Sequence, residues 1–301
     1  MNNEQITHAR PPIRHGLTNT DRATLVFLRG QLAAHPGAIT RASYDELFER
    51  VPPADAIDYS EASAGGVPGV WCVPKACRDS ARAAILYLHG GGFVLGSARA
   101  YRHLAGQIAA RSAVPAFVAD YRLAPEHAFP AALDDARAAY RGLAAQFGAG
   151  GVAVVGDSAG GGLALSLLQE EPGVRCGVLL SPWTDLALTA PSLDSNAAVD
   201  PFLSRGALEA GAGQYLGTHD RRDPRASPLY GQTRETPAIQ VHVGTAEVLL
   251  DDSLRLASNE RIQVHVWEDM LHVFPSSLGL FEAAQAAHDL IATFLRAELS
   301  T

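Results

Sequence analysis

A serine, a histidine and a run of glycines could do chemistry in this chain. GDSAG, Gly156 to Gly160, joins an apolar run, GVAVVG, to a helical pattern, SAGGGLALSLLQEEP. A strand-to-helix turn of the form G-x-S-x-G lifts its serine clear of the backbone, over a helix N-terminus that stabilises developing negative charge. Ser158 is therefore the expected nucleophile. A merely structural turn is the alternative, and the strand before and helix after weigh against it. HGGGF, His89 to Phe93, ends a second apolar run, AILYLH. Three consecutive glycines can turn backbone N–H groups toward an anion. A phosphate loop would continue into G-K-[ST], which is absent. Acyl transfer, which needs two or three fixed donors for an oxyanion, has a use for such a loop. The expected donors are the N–H groups of Gly91 and Gly92, with that of Ala159 after the nucleophile. His89 is expected to brace the loop from below.

A serine hydroxyl is a weak nucleophile at neutral pH and needs a base. The chain has 11 histidines. His272, in EDMLHVFP, follows the last strand pattern and precedes the closing helix. It thus completes the chain order serine, acid, histidine. His242 and His265 lie inside strand patterns and read as core or face histidines, while His103, His127, His219 and His288 have no such placement. For the acid, VHVGTAEVLLDDS (241–253) offers Glu247, Asp251 and Asp252 beyond a strand. Acids in a helix's first turn are also favoured by the helix dipole alone, so the stretch by itself leaves all three open. Asp157 beside the nucleophile is expected to brace the loop, with its side chain turned away from Ser158.

These groups can meet only if strands and helices deliver them to one edge. Short apolar runs at AAILYLH, AVPAFVADY, GVAVVG, CGVLLS, AIQVHVG and IQVHVWE alternate with helical patterns at SARAYRHLAGQIAARS, FPAALDDARAAYRGLAAQFG and SAGGGLALSLLQEEP. A further helix follows AIQVHVG, and a long amphipathic one closes the chain. This alternation predicts a mainly parallel sheet covered by helices on both faces. AIDYSEA and GVWCVP, separated by Gly-rich turns, predict an antiparallel hairpin at the N-terminal edge. Residues 18–50 read as helical, interrupted at His35-Pro36-Gly37. Between 189 and 237 the rhythm breaks for longer than an ordinary connection. That segment is expected to be an insertion lying over the C-terminal edge of the sheet, with one helix at SRGALEAGAGQYLG.

The 301 residues, 47% hydrophobic, suit one large α/β domain or two small ones with a sizeable core. A net charge of −8 argues against nucleic acid as a partner and gives no attraction to anionic membrane. No run approaches the ~18 apolar residues of a membrane span. The polar N-terminus lacks the apolar stretch of a signal peptide. Three cysteines, Cys72, Cys77 and Cys176, form no disulfide framework or metal pattern. A cytoplasmic protein without metal or organic cofactor is the expectation.

HGGGF upstream of GDSAGG, with DYRLAPE between them and SPWTDL after, resembles the bacterial hormone-sensitive-lipase-like esterases. The resemblance runs from about residue 18 to the C-terminus, with four motifs in the family's order. It implies an α/β-hydrolase fold with a helical cap: residues 1–50 would supply N-terminal cap helices, residues 51–301 the catalytic domain, and 189–237 the cap insertion. It implies a serine carboxylesterase for small short-acyl esters, with Arg122 and Glu126 structural. Where the family carries D-x-L-x-D, this chain has Glu247, Leu249 and Asp251. The resemblance thus makes Glu247 the acid, with one methylene more than the usual aspartate. Asp251 becomes a supporting or helix-start carboxylate, and Asp252 is expected to be solvated. The helix after Glu247 is shorter than usual, which could set the acid and histidine loops differently or loosen the sheet edge.

Phe93, Trp183, Phe202, Leu203, Val273 and Phe274 lie near the motifs and are candidate pocket walls, although core packing explains each as well. Phe202 and Leu203 stand out because they fall in the cap. A deacetylase cleaving N-acetyl or O-acetyl groups from a small metabolite is the alternative activity. A non-catalytic receptor on the same fold, as in plant hormone receptors resembling this family, is disfavoured by the presence of both Ser158 and His272. A homodimer contact through the final strand or helix is compatible with the resemblance.

Overall fold

AILYL, strand β4 (Ala84–Leu88), is buried at every residue, as a strand covered on both faces must be. The computed structural model describes residues 10–32, 39–78, 80–232 and 235–300. The interruption at His35-Pro36-Gly37 and the first nine residues of the proposed cap lie outside them. Around β4 runs a sheet built from β1 (Ile13–His15), β2 (Ile57–Ala64), β3 (Val67–Pro74), β5 (Ala116–Ala119), β6 (Val152–Asp157), β7 (Cys176–Leu180), β8 (Ala238–Gly244) and β9 (Ile262–Trp267). The strand order is β1-β9-β8-β7-β6-β4-β5-β3-β2. Every pairing from β1 to β5 is parallel, whereas β3 runs antiparallel to both β2 and β5. The chain has the α/β-hydrolase fold.

Alternate side chains along each strand point to opposite faces, and two cores result. Ile85, Tyr87, Val155 and Leu180 pack with α3 (Ala98–Ser112) and α9 (Glu282–Leu299). Leu86, Leu88, Val154 and Leu179 pack with α4 (Ala131–Phe147) and α5 (Ser158–Glu170). Pairing of β8 with β9 is regular from Ile239↔Ile262 to Gly244↔Trp267, although the helix between them, α8 (Leu250–Leu256), has only seven residues. The short helix does not loosen this edge.

Strand β1 is absent from the sequence reading. Its three residues pair with His265–Trp267 and show no apolar alternation. It covers part of the outer edge of β9, so a strand-to-strand dimer contact at those residues would meet β1 instead of the final strand.

Helices α1 (Asn19–Leu32) and α2 (Arg41–Glu49) cover the predicted N-terminal helical region. Thr40 caps α2 in a reciprocal box with Ser43. Asp21 of α1 accepts hydrogen bonds from Glu282 and Ala283 N–H at 2.7 and 3.0 Å. A carboxylate there satisfies donors that a helix start cannot pair internally. The 189–237 segment holds a single turn, α6 (Ser192–Ser195), helix α7 (Arg205–Leu216), capped by Ser204, and a 3-10 turn at Pro228–Tyr230.

Candidate active site

Ser158 opens α5 with φ at +51°, a left-handed conformation unusual for a residue with a side chain. Two glycines make room for it. A Cβ on Gly156 would lie 2.2 Å from Gly160 O, and one on Gly160 would lie 2.1 Å from Leu88 O. Both contacts are with backbone, which cannot move aside.

Across the C-terminal edge, His272 Nε2 lies 2.9 Å from Ser158 Oγ, and His272 Nδ1 lies 2.8 Å from Glu247 Oε2. These residues are 114 and 25 positions apart in the chain. Glu247 is fully buried. Its other oxygen, Oε1, accepts Gly244 N–H at 2.6 Å and the Ser181 hydroxyl at 2.9 Å. Burial by itself lowers the proton affinity of His272. The hydrogen bond and charge of Glu247, with the charges of Asp200 and Asp157, outweigh it and leave the imidazole above its ordinary 6.5.

The acid and histidine loops are stitched together along their length. Thr245 N–H donates to Trp267 O, Ala246 N–H to Met270 O, and Asp269 N–H to Thr245 Oγ1. A Cβ at Gly244 would sit 2.0 Å from Met270 O. The insertion braces the same loop. Asn196 Nδ2 donates to Thr245 O and Glu247 O at 3.0 and 2.8 Å, and Asp200 Oδ2 accepts Val248 N–H at 2.8 Å. Ser181, Asn196 and Asp200 were not identified from the sequence. Polar residues in irregular segments carry no periodic signal, and their partners are remote in the chain.

The other two acids have separate duties. Asp251 accepts Ser192 N–H at 2.8 Å from the first turn of α8. Asp252 is not solvated, contrary to expectation. It is 1% exposed, and its Oδ2 accepts Thr184 and Asp185 N–H at 2.7 and 2.9 Å. A short helix turning inward places it under the loop after β7. Burial pushes its carboxyl up to about 7 against the pull of those two N–H groups. Asp252→Ala should destabilise the protein by about 2–4 kcal/mol, because two buried donors lose their acceptor. Asp252→Asn, which keeps one, should cost less. Urea unfolding of the three proteins checks the order.

Gly91 and Gly92 both have positive φ, +112° and +62°. At Gly91 this is obligatory, since its carbonyl takes Val94 and Leu95 N–H and a Cβ would meet Leu95 O at 2.3 Å. Ala159 N–H belongs to the first turn of α5, where backbone donors lack intrahelical partners. Asp157 accepts Gly90 N–H at 3.0 Å and the hydroxyls of Tyr87 and Tyr101 at 2.9 and 3.2 Å, so its side chain serves the loop. Burial raises its carboxyl to about 6, although those donors and His272 favour the charged form. His89 Nδ1 is 2.8 Å from Gly90 O, and its ring stacks on Tyr121. Arg122 pairs with Asp135, and Glu126 pairs with Arg41 of α2. Arg41 also donates to Val94 O and Ala124 O, which fastens α2 to the far end of the glycine loop.

The six candidate pocket residues separate. Phe93 stacks face to face on Tyr215 of α7 at 3.8 Å. Trp183 is 1% exposed, with its ring near where a Cβ of Gly211 in α7 would project. Phe274 is packed against Trp267 in a buried cluster, and Val273 is buried too. Phe202 is 43% exposed, and Leu203 is partly buried against the core.

A family model described as alpha/beta hydrolase fold matches residues 85–276, more than half of the chain. The chain is 34% identical to an acetyl-hydrolase of Streptomyces hygroscopicus over 272 residues, covering 85% of this chain and 88% of the relative. It is 36% identical to an esterase of Acinetobacter venetianus, covering 86% and 89%. A solved esterase from the bacterial hormone-sensitive lipase family superposes with a TM-score of 0.86 at 34% identity, covering 94% of this chain and 99% of that one. The chain belongs to the α/β-hydrolases. Within them it is a carboxylic ester hydrolase of the bacterial hormone-sensitive-lipase-like family.

Proposed function

We propose that the protein hydrolyses small short-acyl esters with Ser158 as nucleophile, His272 as base and Glu247 as acid. The observation that carries this reading is the continuous hydrogen-bonded line from Ser158 Oγ through the imidazole to a fully buried carboxylate. His272 Nε2 takes the serine proton as Oγ attacks the ester carbonyl. The oxyanion is received by Gly91, Gly92 and Ala159 N–H. The imidazolium then protonates the leaving alcohol. Water, activated by the same nitrogen, releases the acid from the acyl-serine. Glu247 holds Nδ1–H and stabilises the imidazolium without taking its proton. Every step uses the chain's own groups.

We read residues 1–50 and 189–237 as one cap. In support, Arg41 of the first part and Gly211 of the second both reach the glycine loop, at Val94 O and near Gly92 O. A cap fastened this closely favours a compact pocket and a small substrate, with Phe202 and Leu203 at its mouth. Among the described residues no helix is long and apolar enough to cross a membrane. The three cysteines are free and buried, which suits a reducing compartment such as the cytoplasm.

A second reading, a deacetylase cleaving N-acetyl or O-acetyl groups from a small metabolite, draws on the acetyl-hydrolase from Streptomyces hygroscopicus. Parallel turnover of p-nitrophenyl acetate and p-nitroacetanilide tests both. Ester hydrolysis with little anilide cleavage is expected, and faster anilide turnover would favour the deacetylase. If neither is cleaved and Ser158 resists an organophosphate, the hydrolase reading fails.

The pH profile provides a further check. His272 must be neutral to accept the serine proton, so kcat/KM should fall as pH drops through its pKa. That pKa is raised, so the acid limb should lie above 6.5. It should move to lower pH in Glu247→Gln, where the hydrogen bond and charge of Glu247 no longer oppose burial.

A further inference from the structure

Ser181 lies one residue beyond β7, and its hydroxyl sits where the acid and histidine loops meet. It donates to Glu247 Oε1 at 2.9 Å and accepts Val273 N–H at 3.0 Å. Its own N–H continues the β7–β8 ladder by donating to His242 O at 2.8 Å. The residue is wholly buried, with φ at +46°. Glycine adopts that conformation without strain, and serine does not. A side chain kept at a strained backbone position points to a role for the side chain. Here that side chain has one polar atom, and both of its bonds go to the two loops.

We infer that Ser181 is a positioning residue of the hydrolytic site, locking the Glu247 carboxylate in the orientation that receives His272 Nδ1–H and tying it to the histidine loop. The inference rests on the Ser158–His272–Glu247 reading above. A glutamate carboxylate turns about a broad terminal torsion, and glutamate has one more rotor than the aspartate expected at this position. Oε2 is engaged by His272. Oε1 is held from two directions, by Gly244 N–H and by Ser181, and both bonds are charge-assisted and hence strong. The plane of the carboxylate is then fixed. The acceptor side of the same hydroxyl holds Val273, the residue after His272, itself at φ +51°. One oxygen thus positions both partners of the 2.8 Å bond between Glu247 and His272. Serine at 181 offsets the extra freedom that glutamate brings.

The test compares kcat and KM for p-nitrophenyl acetate in the wild type, Ser181→Ala and Ser181→Gly, each also in a Glu247→Gln background. Loss of one charge-assisted bond and of the Val273 acceptor should lower kcat by about 10- to 100-fold with KM nearly unchanged. Ser181→Gly removes the hydroxyl while relieving the backbone. It should therefore unfold at a urea midpoint no lower than Ser181→Ala and still lose kcat. If alanine fails to fold, glycine carries the test. In the Glu247→Gln background the further loss should be several-fold smaller than in the wild-type background, since the carboxylate that Ser181 orients is gone and only the tie to Val273 is left to lose. A kcat within twofold of wild type in either folded single variant would overturn the inference. So would an equal fold-loss in both backgrounds, or a loss confined to KM. Ser158→Ala assayed alongside separates the two levels: full activity there would overturn the reading and the inference together. Inactivity there with intact kcat in the Ser181 variants would overturn the inference alone.

Discussion

Ser158→Ala, which removes the proposed nucleophile, should lower kcat for p-nitrophenyl acetate by about 10⁶-fold. The turn should survive the change. Its shape comes from the close approach of Gly156 to Gly160 and of Gly160 to Leu88, and none of those residues is altered. Alanine also keeps the same Cβ at φ +51°, so the backbone strain is unchanged. The loss would therefore be chemical, with the circular dichroism spectrum and urea midpoint near those of the wild type. His272→Ala should cost a similar factor. The Ser158→Ala/His272→Ala pair should cost hardly more than either alone, because the proposed mechanism uses the hydroxyl and the imidazole as one unit. Activity remaining above the uncatalysed rate would come from the glycine-loop donors and substrate binding. Near-multiplicative losses would place the two residues in separate functions and end the reading.

Glu247→Gln should cost about 10⁴-fold in kcat, by analogy with removal of the acid's charge in other serine hydrolases. The surroundings of the carboxylate predict how. Oε1 is held by two donors, Gly244 N–H and the Ser181 hydroxyl. In the glutamine variant the amide oxygen takes that position, and the NH₂ group is turned toward His272 Nδ1. A donor there makes Nδ1 the acceptor and puts the ring proton on Nε2. That nitrogen then cannot accept from Ser158, 2.9 Å away. Stability should change little, since shape and packing are kept. Asp251→Asn is the matched control. Its carboxylate serves Ser192 N–H, and it should lose less than about tenfold, in keeping with one weakened bond. Larger loss in Asp251→Asn than in Glu247→Gln would move the acid to Asp251.

The strand-turn-helix at Ser158 and the glycine run at Gly90–Gly92 are legible because their signals are local. Period-two burial, helical spacing and turn glycines act within a few residues of themselves. For the same reason the predicted strands from β2 to β9 match the observed ones closely, whereas β1, three residues without apolar alternation, left no trace. His272 stands out along the chain by its place between the last strand and the last helix.

Asp252 shows where such reading stops. Three neighbouring acids with similar local surroundings turn to three different places: Glu247 to His272, Asp251 to Ser192, and Asp252 to Thr184 and Asp185. Which carboxylate turns where depends on how α8 docks against the loop after β7, which is a property of packing. Ser181 meets Glu247 across 66 positions of chain and Val273 across 92. No local pattern encodes a bond over that distance. Residue types, their order and the elements that carry them are written in the chain itself. Which carboxylate faces the imidazole, and which hydroxyl holds it there, follows from packing, because hydrogen bonds between remote loops form only once the sheet has brought their strand ends side by side.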